Sequence, residues 1–304
     1  MARTGFGTDR GLNLRMGITM AGLGLLYVVI AAVLFSLGFN AFFVLVISGG
    51  MLLAQWWFSD SLAMRAMRAV VVTPEQAPQL HGLVDELCAR AGMAKPRVGI
   101  ADTDVPNAFA TGRSAKRSVI VVTTGLLRRL DRDELQGVLA HELSHVAHRD
   151  VTVMTIASFS AILAGFMARS AMWGSFARDR RDANAGLVFL AVLVVSFLVY
   201  IVSFLLIRAL SRYRELGADR SGAIITRRPR ALASALRKIA SGTEVLPTSE
   251  IRRTEPISSI ALMPALLRGR GMSLESLFST HPPLERRLAQ LEQLASELGD
   301  TGTP

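Results

Sequence analysis

An α+β fold, mainly helical, with a small sheet and about four membrane-spanning helices is predicted for this 304-residue chain by three observations. Four apolar runs, at 17–37, 41–58, 151–167 and 187–207, contain no Asp, Glu, Lys or Arg. Between the second and third runs, three short strand-like segments are framed by helical periodicities. One of those helices carries His141-Glu142-Leu143-Ser144-His145, and the rest of the chain is organised around it.

Composition agrees with a membrane protein. The chain is 51% hydrophobic with mean hydropathy +0.38, above the usual apolar share of a soluble domain. Its net charge is +10. No RNP-like, zinc-finger or helix-turn-helix pattern occurs, so the partner expected for this charge is an anionic lipid bilayer and not nucleic acid. A single cysteine, Cys88, excludes an internal disulfide and is expected as a buried thiol.

Taken in order, Gly17–Leu37 is long enough to span a bilayer and too long for a signal peptide. Ala41–Phe58 follows after a three-residue link and ends in Trp56-Trp57-Phe58, aromatics suited to a membrane interface. Arg3, Arg10 and Arg15 precede this hairpin and Arg65 and Arg68 follow it. The excess of Lys and Arg on cytoplasmic loops then places the N-terminus and the residues after 60 on the cytoplasmic side. Residues 1–60 thus form a first membrane hairpin.

Residues 61–150 read as soluble. Val72-Thr73-Pro74 is extended. Glu75–Ala91 repeats Leu80, Leu83, Val84 and Leu87 at helical spacing, with Gly92 as the stop. Strands are expected at Arg97–Ala101, Asn107–Thr111 and Ser118–Thr123, and a further helix near Thr124. Residues 151–207 form a second hairpin, although its Arg178–Arg181 loop runs against the positive-inside trend. In 208–304, a helix is expected over Ala231–Ala240 and an amphipathic one over Leu284–Leu298. For residues 242–272 a lid and a plain linker both stand.

The 141–145 spacing has a mechanical meaning. Residues four apart share one helical face, so two imidazoles can reach one tetrahedral Zn²⁺ at roughly 2.0–2.1 Å. Glu142 beside them can bind the metal's water and take its proton without becoming a ligand. Three of the five histidines fall between 141 and 148, which argues against coincidence. A third ligand is sought in Tyr213–Asp219, where Glu215 and Asp219 share a helical face. Glu215 would complete a His₂Glu site with an open position, and Asp219 would accept from a ligand imidazole. Pairing of both acids with Arg212, Arg214 and Arg220 on an exposed helix is the alternative. His148 has no assigned role. The segment 105–112 could hold an extended peptide at a sheet edge, or be an ordinary edge strand punctuated by Pro106.

The motifs HELSH at 141–145, ELGAD at 215–219, NAFATG at 107–112 and THPPLERR at 280–287 together resemble the M48 peptidases. The interleaved apolar runs resemble the HtpX branch more than the CAAX-processing Ste24 enzymes, which have more spans. The resemblance covers most of residues 70–295 and implies a membrane-anchored gluzincin-type protease domain. It implies one Zn²⁺ per chain on His141, His145 and Glu215, with Glu142 as general base and Asp219 behind the ligands. Asn107, Ala108 and Phe109 fall in its substrate-edge motif, and His281 and Arg287 match residues near the substrate that stabilise an oxyanion. For His281, a loop position ahead of a Pro-Pro helix start stands as the other reading. Unfolded or misassembled membrane proteins are the implied substrates. A non-catalytic membrane scaffold with a structural or degenerate metal site is the rival. A transporter would need ionisable groups inside the runs at 17–37, 41–58 and 187–207, which have none.

Overall fold

The computed structural model describes residues 10–36, 41–112, 114, 117–158, 163, 165, 185–244 and 282–302. Its elements are α1 (Arg10–Ser36), α2 (Ala41–Ala66), β1 (Val70–Val71), α3 (Pro78–Ala91), β2 (Arg97–Ala101), β3 (Ala108–Thr111), β4 (Val119–Thr123), α4 (Thr124–Arg129), α5 (Arg132–Ala147), α6 (Ala185–Thr226), α7 (Pro229–Glu244) and α8 (Leu284–Leu298). Residues 150–158 are also helical. The chain divides into two compact units. One comprises Met1–Arg10, Trp57–Thr152 and Arg212–Pro304, and the other Gly11–Trp56 and Val153–Ser211.

In the first unit, four strands pair in the order β1-β2-β4-β3, with β2 and β4 parallel and the two edges antiparallel. Every residue of β4 is buried, as expected of a central strand covered on both faces. Ile120 and Val122 face a core built with Leu83, Val84 and Leu87 of α3 and Leu139 and Leu143 of α5. Val119 and Val121 alternate to the other face, where Met64 of α2 and Met67 cover them. β1 escapes sequence reading because two residues carry no periodicity. α3 begins at Pro78 rather than Glu75, since proline is tolerated only in a helix's first turn.

α5 starts on a capping box. The Asp131 side chain accepts from the Glu134 N–H, and the Glu134 side chain accepts from the Asp131 N–H, both at 2.9 Å. Glu134 is buried and also accepts from Ser234 and Lys238 of α7, pinning the two helices together. Burial raises its carboxyl pKa, but Lys238, Ser234 and the Asp131 N–H overcome this and hold it below the ordinary range. A depressed folded-state pKa contributes stability that is complete above the unfolded value and is lost as pH falls through the folded one. Glu134→Gln is therefore expected to cost about 1–3 kcal/mol at neutral pH. As pH falls through the depressed folded-state pKa the gap between the variant and the parent should close, read by denaturant unfolding across pH.

α6 is one unbroken 42-residue helix, roughly 63 Å long at 1.5 Å per residue. The apolar run at 187–207 and the acidic segment at 213–219 thus belong to a single element. No proline interrupts Ala185–Thr226, so the change from apolar to charged composition at Arg208 does not end the helix. Among the described residues, one helix, Phe189–Thr226, is long and apolar enough to cross a membrane, and Leu14–Val28 is a shorter apolar helix. Within the second unit, Leu23 packs with Ala157 and Leu210, and Ile30 with Leu163 and Val199. The Arg178–Arg181 loop and residues 245–281 lie outside the described residues.

Candidate metal centre

The two histidines of α5 face the same way, as their spacing requires, and their Nε2 atoms lie 3.2 Å apart. Glu215 arrives from α6. Its Oε2 lies 3.7 Å from Nε2 of His141 and its Oε1 lies 3.4 Å from Nε2 of His145. His141, His145 and Glu215 are thereby brought together as a set of donors for one metal ion, and His141 and Glu215 are buried.

This approach depends on Gly222. A Cβ there would stand 3.1 Å from the backbone N and 3.4 Å from the Cα of His141, so α6 touches the main chain of α5 at the first ligand. One turn earlier on α5, Gly137 does the same against Leu232 of α7.

Behind each imidazole stands a carboxylate, and behind each carboxylate an arginine. Nδ1 of His141 is 2.9 Å from Oδ1 of Asp219, although the ring N–H is not aimed squarely at it. Asp219 is fully buried and accepts two hydrogen bonds from Arg287, from Nε at 2.7 Å and Nη2 at 2.6 Å. Nδ1 of His145 lies 2.5 Å from Oδ2 of Asp150, and the same oxygen is ion-paired with Nη2 of Arg214. Arg214 Nη1 also donates to the Asp150 carbonyl, at 2.9 Å.

Arg287, expected beside the substrate, spends its guanidinium on Asp219, with Nη1 3.6 Å from Glu215, because α8 runs behind the donors. The Phe109 side chain is buried with Met67, Val119 and Val121, beneath the strand. His148 is the C-cap of α5, its N–H bonded to the Ser144 carbonyl, and it is not among the converging donors. His281 lies outside the described residues.

Asp150 and its partner Arg214 escaped sequence reasoning. The signal available was an acid five residues past the second histidine. What it hid was the turn at Arg149, whose φ of +56° is left-handed, a conformation costing a non-glycine residue about 1–2 kcal/mol. That turn carries Asp150 back to the imidazole.

Glu142 is not one of the converging donors. Its Oε2 accepts from the Ala110 N–H at 3.0 Å. Burial raises its pKa, His145 and His141 lower it, and Glu215 raises it again, leaving it above the ordinary range. Ala110 lies on β3, at one edge of the sheet among the described residues. The hydrogen-bonded pairing of Asn107 with Thr123 sets the alternation, so Phe109 and Thr111 turn their backbone groups to β4 while Ala108 and Ala110 turn theirs outward. The start of this edge is fixed by the buried Thr123 hydroxyl, which donates to the Val105 carbonyl and accepts the Asn107 and Leu126 N–H groups.

A family profile described as Peptidase family M48 matches residues 74–295. The chain is similar over 98% of its length to Protease HtpX homolog 1 of Streptomyces coelicolor, at 49% identity and covering 98% of that protein. It is 46% identical over 97% of its length to a Protease HtpX homolog of Moorella thermoacetica, covering 98% of it. Among solved structures, S. mikatae Ste24p matches 94% of this chain and 68% of that one, with TM-score 0.52 at 16% identity, a likeness of fold.

Proposed function

We propose that this chain, which belongs to peptidase family M48 and is a metalloprotease, holds one Zn²⁺ between His141, His145 and Glu215 and uses Glu142 as its general base. The observation that carries this is the donor triangle. Bonds of about 2.0–2.1 Å to a tetrahedral zinc imply donor separations of about 3.3–3.4 Å. The three separations here are 3.2, 3.4 and 3.7 Å. Charge supports it too. Among the described residues, the carboxylates of Glu215, Asp219 and Asp150 gather here beside the guanidinium groups of Arg214 and Arg287, an acidic surrounding that suits a cation.

Bound zinc would supply Lewis acidity, bringing the pKa of water to about 7 and polarising a peptide carbonyl. The chain's residues do the rest. Glu142, steadied by the Ala110 N–H, accepts the proton of the attacking water and returns it to the leaving amine. Asp219 and Arg287 keep His141 oriented with its Nε2 lone pair facing the donors.

The substrate reading is an extended peptide laid along β3, supported by its edge position, the outward backbone groups of Ala108 and the outward carbonyl of Ala110. Ala108→Pro removes one outward N–H at a position where an edge strand tolerates proline. It is expected to raise KM for an unfolded protein such as casein several-fold while zinc content stays at one per chain. An unchanged KM would remove β3 from substrate binding.

The enzyme is read as anchored by four spans with the protease unit cytoplasmic, acting on unfolded or misassembled membrane proteins. Support comes from large apolar side chains left open to the surroundings, among them Leu25 at 66%, Phe42 at 69% and Phe197 at 64% exposure. The basic residues flanking the first hairpin support the orientation. The deciding experiment is chelation of the detergent-purified chain. Casein cleavage should stop and return on adding Zn²⁺ at one equivalent, whereas cleavage that survives metal removal would overturn the reading.

A further inference from the structure

We propose that Asp150, held in place by Arg214, is the positioning carboxylate of His145, the counterpart of Asp219 and Arg287 behind His141. The inference rests on the zinc reading above and deepens it. An imidazole binds a cation through Nε2 only if its proton sits on Nδ1, and an acceptor at Nδ1 fixes that tautomer and the plane of the ring. Asp150 is such an acceptor, 2.5 Å away and buried.

Arg214 makes a carboxylate possible there. Glu142 and Glu215 already place negative charge around His145, and a further unpaired carboxylate would repel them. The buried Arg214 guanidinium touches the same oxygen that meets the imidazole and also grips the Asp150 carbonyl, so both the charge and the direction of the side chain are set. Arg214 precedes Glu215 on α6. One stretch of helix thus presents the clamp for Asp150, a metal donor and the partner of His141 within Arg214–Asp219. An ion pair serving only to tie 150–158 to α6 would need no contact with the imidazole. The observed carboxylate oxygen is shared between the two.

The test compares Zn²⁺ affinity of the full chain in detergent, by competition with a chromogenic chelator, for the parent and for Asp150→Asn. The variant keeps the size and loses the charge. Affinity should fall about 10–100-fold, the usual effect of losing such a partner. The visible bands of the Co²⁺-loaded protein should shift, a change around the metal that an ion pair serving only to tie the helices together would not produce. Parent-like Zn²⁺ affinity together with an unshifted Co²⁺ spectrum would reduce the pair to a structural tie and overturn the proposal. Should Asp150→Asn not fold, Arg214→Lys keeps the charge but gives up one of the two grips. A smaller loss of affinity is then expected, and parent-like affinity overturns the proposal equally. A parent chain that takes up no Zn²⁺ would instead sink the zinc reading itself.

Discussion

Glu142→Gln retains its metal and loses peptide cleavage by about 10²–10⁴-fold, the range expected when a positioned general base is removed. Glutamine has the same shape, and its amide oxygen can still accept the Ala110 N–H that now meets Oε2 at 3.0 Å. What it cannot do is take a proton from water. Metal content should be untouched, because Glu142 does not belong to the converging His141, His145 and Glu215 set. The measurement pairs metal stoichiometry with the rate of casein cleavage on the same preparation. Cleavage at the parent rate would take Glu142 out of the chemistry.

Glu215→Ala should lose the metal itself. Two imidazoles on one helical turn remain, but the donor that closes the triangle is gone. The loss is compounded by Arg287, whose Nη1 lies 3.6 Å from Glu215 and whose positive charge would then stand beside the cation with no carboxylate between them. Affinity should fall by more than the roughly 100-fold that marks the upper range for an outer partner. The gain in thermal midpoint that the parent shows on adding Zn²⁺ should vanish, since that gain is binding free energy. A variant still holding one equivalent after dialysis against a chelator would show that another side chain supplies the third donor.

Local features of this site were legible in the sequence, and those made by an unusual turn or a long-range contact were not. His141 and His145 could be read because a four-residue interval on a helix leaves one geometry to consider. Glu215 and Asp219 share the same helical logic, but their meeting with α5 depends on a glycine contact that no periodicity announces. Asp150 sat in plain view beside the motif. Its role hinges on the left-handed Arg149, and an arginine gives no hint of that conformation. Arg287 was singled out by its motif, but its bond to Asp219 was not foreseen, because the two are 68 residues apart in sequence. The strands β2 and β4 were recoverable from β-branched runs bounded by turn residues. α6 was read as two pieces because composition, which changes sharply at Arg208, was taken for a boundary in the backbone.

The contact at Gly222 has a consequence for anyone altering this enzyme. Since α6 rests on the peptide backbone of His141, the spacing of the donor triangle is stored in main-chain atoms, which no rotamer change can relax. Even a methyl group at 222 would act as a shim a few tenths of an ångström thick. That is comparable to the tolerance of about 0.5 Å within which such constellations work. Side chains around the centre orient its rings, but the distance between the two helices that carry the donors is limited by this one atom's width.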